Sequence, residues 1–219
     1  MISLRSLITG GRGYIGENLA KMLEDPIVYD IKDGNDILSL FDLHSIMKGV
    51  DCCFHLAAIS GIQQCKDNPV QAIKTNIQGT LNVARIAEYY GKPLVFASSF
   101  AVYKPDNIYA MTKFLGEKIV SEFGGRIVRI ANVYGGDNYL EKKDTAVARL
   151  MKGTWEDRDH GEQVRDFVHI DHVCNTLINT LRACPGTTVL AYTGIDTTIN
   201  QLIRLSKNPS FPNNLKYRR

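Results

Sequence analysis

The sequence predicts an α/β protein built on a doubly wound parallel sheet. Short apolar runs alternate with segments of helical periodicity along residues 4–130, and glycines mark several of the junctions. This alternation is typical of parallel strands that are joined by crossover helices. A glycine-rich segment also follows the first apolar run directly, where a strand is expected to turn into a helix. We therefore expect right-handed crossovers, with helices on both faces of one sheet.

Six apolar runs predict strands, because they are short, have β character and are bounded by turn residues. These runs are residues 4–9, 27–30, 50–57, 94–98, 126–130 and 188–192. Six further segments predict helices, because their apolar residues recur at helical spacing. These segments are residues 14–23, 40–47, 69–90, 109–123, 141–151 and 171–182. Residues 154–162 and 207–219 show no periodicity, and we expect loops there.

The composition is that of an ordinary globular protein and excludes several classes. Hydrophobic residues make up 44% of the 219 residues and charged residues 22%, which is usual for a soluble domain. A net charge of +3 is too small to indicate a nucleic-acid-binding surface. No apolar stretch approaches the roughly 18 residues that cross a membrane. The N-terminus has no signal-peptide pattern, so we expect a cytoplasmic protein.

Five irregularly spaced cysteines form no CxxC pair. They are Cys52, Cys53, Cys65, Cys174 and Cys184. The odd number and the spacing argue against a disulfide framework or a zinc site, so no metal is expected. Free thiols fit a reducing compartment.

The segment TGGRGYIG places Gly10, Gly13 and Gly16 between the first predicted strand and the first predicted helix. Glycines at this spacing permit a tight turn, let backbone N–H groups reach a pyrophosphate, and allow the helix to pack closely on the strand. Tyr14 and Ile15 open the helix, whose positive end favours phosphate. The segment therefore predicts a dinucleotide-binding loop of the Rossmann type.

Asp30 ends the second predicted strand, 20 residues beyond Gly10. A carboxylate at this place can accept hydrogen bonds from the ribose hydroxyls of adenosine, and it repels a 2′-phosphate. The sequence therefore favours NAD over NADP as the cofactor. The alternative interpretation is a solvated turn residue.

Tyr109 and Lys113 lie four residues apart on a predicted helix, so their side chains share one face. An ammonium beside a phenol favours the phenolate, which would lower the pKa of Tyr109 from about 10 and give a base at neutral pH. Ser99 ends a predicted strand at the sheet edge where ligands bind, and it can hydrogen-bond the same substrate hydroxyl. A surface tyrosine–lysine pair is the alternative interpretation.

Several ordered segments together resemble the extended short-chain dehydrogenases/reductases of the NAD-dependent epimerase/dehydratase family. In chain order they are residues 9–16 (TGGRGYIG), 36–37 (DI), 55–58 (HLAA), 76–80 (NIQGT), 98–103 (SSFAVY), 129–135 (RIANVYG) and 165–171 (RDFVHID). Many short matches in the right order are more specific than any one of them.

The resemblance implies NAD as cofactor, a nucleotide-sugar as substrate, and a role for each matching position. Ser99, Tyr109 and Lys113 would form the catalytic set. The residues implied in cofactor binding are Gly10, Gly13, Tyr14, Ile15, Gly16, Asp30, Asp36, Ile37, Leu56, Ala57, Ala58, Asn76, Tyr109 and Lys113. The residues implied in substrate binding are Ser99, Asn132 and Arg165, the last two at the diphosphate. An ion pair with Asp166 or a neighbouring acid is the alternative role for Arg165.

The resemblance also bears on the reaction. Dehydratases of the family carry Asp-Glu directly after the catalytic serine or threonine, and decarboxylating members carry a glutamate at the second position. Phe100 and Ala101 stand there in this chain and cannot titrate. Members similar to GDP-fucose synthase use a cysteine and a histidine, and no cysteine lies near Ser99 in the sequence. We therefore expect a nucleotide-sugar 4-epimerase that works by transient hydride transfer to NAD, with Tyr109 as general base.

Two alternatives stay open. A keto-sugar reductase or a nucleotide-sugar dehydrogenase, using NAD or NADP, needs the same residues. A non-catalytic NAD-binding protein would fit the shortened substrate region.

We expect two unequal regions. Residues 1–133 would form the NAD-binding Rossmann domain, and residues 134–219 a reduced substrate-binding region, of which about 165–192 packs back on the first. The resemblance further implies a homodimer, in which the long helices predicted over residues 69–90 and 109–123 form a four-helix interface.

Overall fold

The computed structural model describes residues 4–136, 146–154, 161–208 and 210. Its strands are β1 (Arg5–Thr9), β2 (Asp25–Tyr29), β3 (Cys52–His55), β4 (Leu94–Ser99), β5 (Arg126–Ile130), β6 (Asn132–Tyr134), β7 (Val164–His169), β8 (Thr188–Ala191) and β9 (Asp196–Thr198). Six of them form a parallel sheet in the order β2-β1-β3-β4-β5-β8. The order reverses between β1 and β3, which is where ligands bind in open α/β sheets.

Helices connect these strands. They are α1 (Tyr14–Ala20), α2 (Leu40–Lys48), α3 (Ile62–Asp67), α4 (Pro69–Ile73), α5 (Thr80–Tyr89), α6 (Ile108–Glu122), α7 (Ala146–Lys152), α8 (Ile170–Thr180) and α9 (Ile199–Ser206). A π-helical segment, Lys74–Gly79, joins α4 to α5, and 3-10 turns cover Ile31–Asp33 and Phe100–Tyr103.

Both faces of the large sheet are buried, as expected for a sheet covered by helices on two sides. Alternate residues of each strand point to opposite faces. Ile8 and Val95 lie in the layer that includes residues of α1 and α8. Leu7 and Phe96 lie in the layer that includes residues of α2, α5 and α6. The core therefore holds the carboxyl ends of the central strands in a fixed arrangement.

A second, small sheet follows the large one. In it β6 pairs in parallel with β7, and β7 pairs antiparallel with β9. β8 lies at the edge of the large sheet, and α8 packs against β5 and β8. The segment after residue 134 thus supplies structure to both sheets, and the domain boundary at residue 133 stays a prediction.

The predicted α/β fold class is confirmed. The six predicted strands are present, with ends that differ by a few residues at most. The helix predicted over residues 69–90 is broken by the π-helical segment, and π-helical turns are frequent at functional sites. The pattern missed α3, β6, β7, β9 and α9.

Some sequence-based expectations fall outside the described residues. They concern residues 141–145 of the helix predicted over 141–151, residues 155–160 of one predicted loop, and residues 209 and 211–219 of the other. Within the part of the chain that the structure describes, no helix has both the length and the apolar character needed to cross a membrane.

Candidate active site

The predicted site residues of the glycine loop, β3 and β4 all follow the carboxyl ends of neighbouring parallel strands. The glycine loop follows β1, Asp30 follows β2, Leu56 follows β3, and Ser99 ends β4. The carboxyl ends of parallel strands meet at one edge of the sheet. The fold therefore brings residues that are far apart in the sequence to one cleft.

The glycine loop fits closely against the segment after β3. Gly10 has a φ of +72°, and a Cβ atom there would lie 2.5 Å from the backbone nitrogen of Ala57. A Cβ atom at Gly16 would lie 2.5 Å from the carbonyl oxygen of Gly10. Gly13 precedes α1 without a side chain to cap its first turn. Backbone amides at such a turn are suited to phosphate oxygens, so the loop fits the pyrophosphate of a dinucleotide.

Asp30 is buried at the end of β2, not solvated as in the alternative interpretation, with 7% of its surface exposed. Its carboxylate accepts hydrogen bonds from the backbone N–H groups of Arg12 (2.9 Å) and Lys32 (3.0 Å). The guanidinium of Arg12 turns to Asp33, with Nε 2.8 Å from Oδ2. These contacts hold the negative charge of Asp30 beside the glycine loop, where the sequence predicts the adenosine ribose.

Hydrogen bonds and packing hold Asp36 and Ile37, the residues predicted to contact the adenine of NAD. Tyr29 donates a hydrogen bond from its hydroxyl to the carbonyl oxygen of Asp36 at 3.0 Å, and Asp36 Oδ1 accepts from the backbone N–H of Leu38 at 2.9 Å. The side chain of Ile37 is buried against Gly79, where a Cβ atom would overlap with it. Their contact with adenine stays a prediction.

His55 connects the glycine loop to the π-helical segment through buried hydrogen bonds. The hydroxyl of Thr80 donates to the carbonyl oxygen of Asn76 at 2.7 Å, so it accepts from His55 Nε2 at 2.9 Å. His55 Nδ1 then accepts from the hydroxyl of Thr9 at 2.7 Å. This arrangement requires a neutral imidazole. Burial, with a smaller effect from Lys113, lowers the pKa of His55 from 6.5 to about 3.

Stability should therefore fall at acid pH because of His55. The unfolded chain takes up a proton near pH 6.5 and the folded chain only near pH 3, so stability present above pH 6.5 is lost as the pH falls through this window. We expect the free energy of unfolding to drop by about 2 kcal/mol more in the parent than in His55→Gln between pH 7 and pH 5. Urea unfolding at both pH values measures this difference.

His172→Gln is the matched control, because His172 is exposed on α8. It should keep the pH dependence of the parent. Equal acid sensitivity of the parent and His55→Gln would contradict the assignment.

Asn76 organises the cleft wall from within the π-helical segment. Its Oδ1 accepts from the backbone N–H of Ile59 at 2.8 Å, and its Nδ2 donates to the carbonyl oxygen of Ile59 and to the hydroxyl of Thr112, both at 3.0 Å. Thr112 in turn donates to the carbonyl oxygen of Tyr109 at 2.9 Å. Asn76 thus ties the segment after β3 to the first turn of α6, and its direct contact with the cofactor stays a prediction.

Ser99 and Tyr109 meet at the end of β4. The Ser99 side chain lies beside the phenol of Tyr109, where a hydrogen bond between them would stabilise the phenolate. The Ser99 hydroxyl also accepts from the backbone N–H of Ala101 at 3.2 Å. Burial raises the pKa of Tyr109 above its ordinary value, and the hydrogen bond from Ser99 opposes this only in part. The expected lowering of this pKa is therefore wrong for the protein without ligands, because desolvation of the phenolate outweighs the stabilising contacts.

Lys113 is buried one helical turn after Tyr109. Its Nζ donates to the carbonyl oxygen of Ala97 at 2.8 Å and lies 4.7 Å from the centre of the Phe96 ring. The lysine is therefore fixed under the end of β4, and a surface tyrosine–lysine pair is excluded by its burial, with 5% of Lys113 exposed.

Cys65 lies near the tyrosine, although it is far from Ser99 in the sequence. Its thiol donates to the carbonyl oxygen of Ile59 at 3.3 Å, and its charge would act on Tyr109. Burial raises the pKa of Cys65, and Lys113 opposes the shift. The Cys65 thiol is therefore an uncharged part of the cleft wall beside Tyr109. No spacing in the sequence indicates it.

An ion pair between Glu117 and Arg129 lies behind the end of β4, and no pattern in the sequence predicted it. Glu117 accepts from Ser98 Oγ at 2.6 Å, and it binds Arg129 through Nε at 3.0 Å and Nη2 at 2.8 Å. The Arg129 guanidinium also lies 4.9 Å from the centre of the Tyr103 ring. These contacts join β4, β5 and α6. The one signal available was that Glu117 lies at helical spacing from Lys113.

Asn132 and Arg165, the predicted diphosphate residues, are both exposed. Asn132 Nδ2 donates to the carbonyl oxygen of Asp166 at 3.1 Å, and Arg165 donates to the carbonyl oxygen of Val164 and to Gln163 Oε1. The carboxylate of Asp166 binds the backbone of residues 193–195 instead of Arg165. The described residues include no cluster of His, Cys, Asp and Glu that could hold a metal ion.

Comparison with known proteins gives consistent matches. A UDP-glucose 4-epimerase of Mycoplasma genitalium is 25% identical over an alignment of 281 positions, gaps included, that covers 96% of this chain and 83% of that protein. A GDP-6-deoxy-D-talose 4-dehydrogenase of Aggregatibacter actinomycetemcomitans is 26% identical, over 92% of this chain and 79% of that protein. The crystal structure of a UDP-glucose 4-epimerase of Thermotoga maritima with UDP-glucose superposes with a TM-score of 0.83 at 25% identity, over 92% of this chain and 81% of that one.

A protein-family model matches most of the chain. The NAD dependent epimerase/dehydratase family matches residues 6–189, from β1 into β8. This range includes the glycine loop, the Ser99–Tyr109–Lys113 group and the small sheet's first two strands. The predicted family and the predicted enzymatic character are confirmed, and the chain belongs to the NAD dependent epimerase/dehydratase family.

Proposed function

We propose that the protein is a nucleotide-sugar epimerase that uses NAD to invert carbon 4 of the sugar. The observation that carries this proposal is that Ser99 lies beside Tyr109, with Lys113 buried one helical turn further on, at the same edge of the sheet as a glycine loop suited to a pyrophosphate. A hydroxyl donor, a phenol and an ammonium at one cleft can together deprotonate a sugar hydroxyl. Similarity to a UDP-glucose 4-epimerase over nearly the whole chain supports the same reaction.

The cleft has candidate residues for three parts of NAD. The glycine loop would hold the pyrophosphate, Asp30 the adenosine ribose, and Asp36 with Ile37 the adenine. NAD supplies the acceptor for the hydride of carbon 4 and the positive charge of its oxidised ring. Positive charge near Tyr109 favours the phenolate and opposes the effect of burial on its pKa.

The chain's own residues would then handle the proton. Ser99 donates a hydrogen bond to the substrate oxygen and positions it against Tyr109. Tyr109 takes the proton of the 4-hydroxyl as carbon 4 loses its hydride, and it returns a proton to the same oxygen when the 4-keto sugar is reduced on its other face. The charge of Lys113, one helical turn from Tyr109, would favour the phenolate. The net reaction is an inversion with no change in redox state.

A direct test is an NMR assay of the purified protein with NAD and a panel of UDP-, dTDP- and GDP-sugars. We expect one of these sugars to convert to its C4 epimer without net formation of NADH. Absence of conversion for every sugar, despite measurable NAD binding, would reject the epimerase proposal. In that case a keto-sugar reductase or a non-catalytic NAD-binding protein becomes the better description.

A second candidate is a nucleotide-sugar dehydrogenase or keto-sugar reductase. The observation in its favour is the similarity to a GDP-6-deoxy-D-talose 4-dehydrogenase over 92% of the chain. The two kinds of reaction use the same proton transfer at Tyr109. They differ in the fate of the hydride, which an epimerase returns to the same sugar and a dehydrogenase releases as NADH. Absorbance at the NADH band decides between them, because a dehydrogenase forms NADH and a reductase consumes it in proportion to the sugar converted, whereas an epimerase leaves the amount of NADH unchanged.

Asp30 should set the choice of cofactor. We expect Asp30→Ser to strengthen NADP binding relative to NAD by about tenfold, because the variant removes a negative charge from the place proposed for the 2′-phosphate. Fluorescence titration of the reduced cofactors measures both affinities. Asp25→Ser, at the exposed opposite end of β2, is the control and should keep the parent's ratio. An unchanged ratio in Asp30→Ser would contradict this placement.

A homodimer is proposed from an apolar surface on α4 and α6. Val70 and Ile73 on α4 are 70% and 50% exposed, and Met111 and Leu115 on α6 are 50% and 45% exposed. The two helices pack side by side, and the residues recur at helical spacing. We expect the parent to sediment as a dimer and the double variant Met111→Lys, Leu115→Lys as a monomer.

Phe41→Lys is the control for the dimer, because Phe41 is 84% exposed on α2, away from this surface. It should remain dimeric in sedimentation velocity. A monomeric parent at micromolar concentration would contradict the proposed interface.

A further inference from the structure

One stripe of α6 meets the last three residues of β4, because side chains spaced four residues apart share a face of a helix. The stripe consists of Tyr109, Lys113 and Glu117. In the same order, its members meet Ser99, the carbonyl oxygen of Ala97 and the hydroxyl of Ser98. The proposed proton transfer uses the first two of these side chains. Glu117, whose side chain is 6% exposed, is too buried to contact a sugar directly and has no role in it.

Glu117 binds two neighbouring strands at once. Ser98 and Arg129 are paired in the register of β4 and β5, so their side chains leave the sheet on the same face. Oε1 of Glu117 accepts from Ser98 Oγ at 2.6 Å and from Arg129 Nε at 3.0 Å, and its Oε2 accepts from Arg129 Nη2 at 2.8 Å. Paired bonds between a guanidinium and a carboxylate fix geometry as well as adding energy. The carboxylate is therefore held in one place against both strands.

Two further contacts of α6 with β4 are less directional. Lys113 reaches the carbonyl oxygen of Ala97 through a flexible chain of four carbons, so its ammonium can follow a displaced helix. Gly116 lies on the ring of Phe96, where a Cβ atom would come within 2.9 Å of Cζ. Such apolar contact is non-directional and tolerates sliding. The carboxylate of Glu117 is therefore the contact best suited to fix the position of α6 along β4.

We propose that Glu117 is a positioning residue for the proton transfer. By its bonds to β4 and β5 it holds α6 at the place where Tyr109 lies beside Ser99. Displacing a reacting group by about 1 Å can lower a rate by about 100-fold, so a small shift of α6 would impair the reaction without unfolding the protein. This inference rests on the proposed function, and it requires that the length of the Glu117 side chain matters more to the reaction than its charge.

Two substitutions of Glu117 separate length from charge. Glu117→Asp keeps the charge but is shorter by one carbon–carbon bond, about 1.5 Å, so it can bind Ser98 and Arg129 only if α6 moves. Glu117→Gln removes the charge but keeps the length and an oxygen that accepts from the Ser98 hydroxyl. We expect kcat for C4 inversion to fall by about tenfold or more in Glu117→Asp and by less than about threefold in Glu117→Gln. The KM for the sugar should change much less than kcat, since neither variant alters a group that contacts the sugar.

A role in stability alone predicts a different order. In that case kcat would follow the free energy of unfolding measured in urea, and Glu117→Gln, which leaves Arg129 without a carboxylate, would be the more impaired variant. Val120→Ala is the control for lost stability, because Val120 is buried on the same helix and the variant removes two methyl groups and no polar contact. It should unfold at a lower urea concentration than the parent and keep the parent's kcat.

Crystal structures of the parent and the two Glu117 variants give a readout that does not depend on turnover. We expect Tyr109 to move away from Ser99 by about 1 Å in Glu117→Asp and to stay in place in Glu117→Gln. Ser98→Ala breaks the same contact from the strand and leaves the ion pair intact, so it serves as the second variant if Glu117→Asp does not fold. We expect Ser98→Ala to lower kcat by about fivefold, again with a smaller change in KM.

The outcomes distinguish this inference from the proposed function. An unmoved Tyr109 in Glu117→Asp, a kcat of that variant within about threefold of the parent, or a greater loss in Glu117→Gln would overturn the inference. An equal fall of kcat in Val120→Ala would overturn it as well, as would an unchanged kcat in Ser98→Ala. If the parent inverts no sugar, while Tyr109 moves in Glu117→Asp and not in Glu117→Gln, the position of Tyr109 still depends on Glu117 and the epimerase reaction is rejected.

Discussion

Replacing Tyr109 by phenylalanine is expected to lower kcat by about 10²- to 10⁴-fold, the range that a positioned general base contributes. The variant removes one oxygen from the side chain and leaves the ring in its half-buried place on α6. Phenylalanine cannot accept the proton of the 4-hydroxyl, so the hydride transfer from carbon 4 loses its general base. NAD should still bind measurably, because the glycine loop is untouched, so that a loss of turnover can be told apart from a loss of the cofactor. The C4 inversion assay and a cofactor titration measure the two quantities.

Tyr89→Phe is the matched control, because it also removes a phenol oxygen, from a residue that is 74% exposed on α5. It should retain the activity of the parent. Activity of Tyr109→Phe within about fivefold of the parent would show that another group moves the proton, and the assignment of Tyr109 would be withdrawn.

Replacing Arg129 by methionine is expected to destabilise the fold by about 3 kcal/mol, within the range for breaking a buried ion pair. The Glu117 side chain is 6% exposed and the Arg129 side chain 26% exposed, so the variant strands a carboxylate in the interior. Removal of the partner leaves the full cost of desolvating that charge. Urea unfolding followed by circular dichroism measures the change in the free energy of unfolding.

The double variant Glu117→Gln, Arg129→Met should recover most of this loss. It removes both charges, while the glutamine oxygen still accepts the hydrogen bond from Ser98 that Glu117 accepts at 2.6 Å. A loss of less than 1 kcal/mol in Arg129→Met would contradict the importance of the pair. A double variant no more stable than Arg129→Met would show that the loss comes from packing against Tyr103 and not from the stranded charge.

The location of the candidate site could be proposed from the sequence because it follows from strand direction. Asp30 and Ser99 each end an apolar run, and parallel strands place all such ends at one edge. The glycines could be predicted for the same reason, since close approach of Gly10 to Ala57 tolerates no side chain. The edge of the sheet depends on chain direction and the need for glycine depends on side-chain size, and both can be read from a sequence.

The electrostatic state of the site could not be predicted in this way. The spacing of Tyr109 and Lys113 indicated a lowered pKa for the tyrosine, whereas burial raises it. Burial depends on what the rest of the chain packs over the phenol, and helical spacing carries no information on that. The same limit applies to His55, whose pKa falls to about 3 because every side of the ring is covered.

The sequence by itself determined the parallel α/β fold, the order of its main elements and the family, because alternating apolar periods and ordered motifs are local properties. Only the tertiary structure decided which side chains support that chemistry. Cys65 beside Tyr109, Glu117 bound to Arg129, and Phe100 packed on Tyr192 join segments that are distant in the chain. Each contact exists because a crossover returns the chain to a neighbouring strand, and the residues that meet there share no spacing that a pattern can detect.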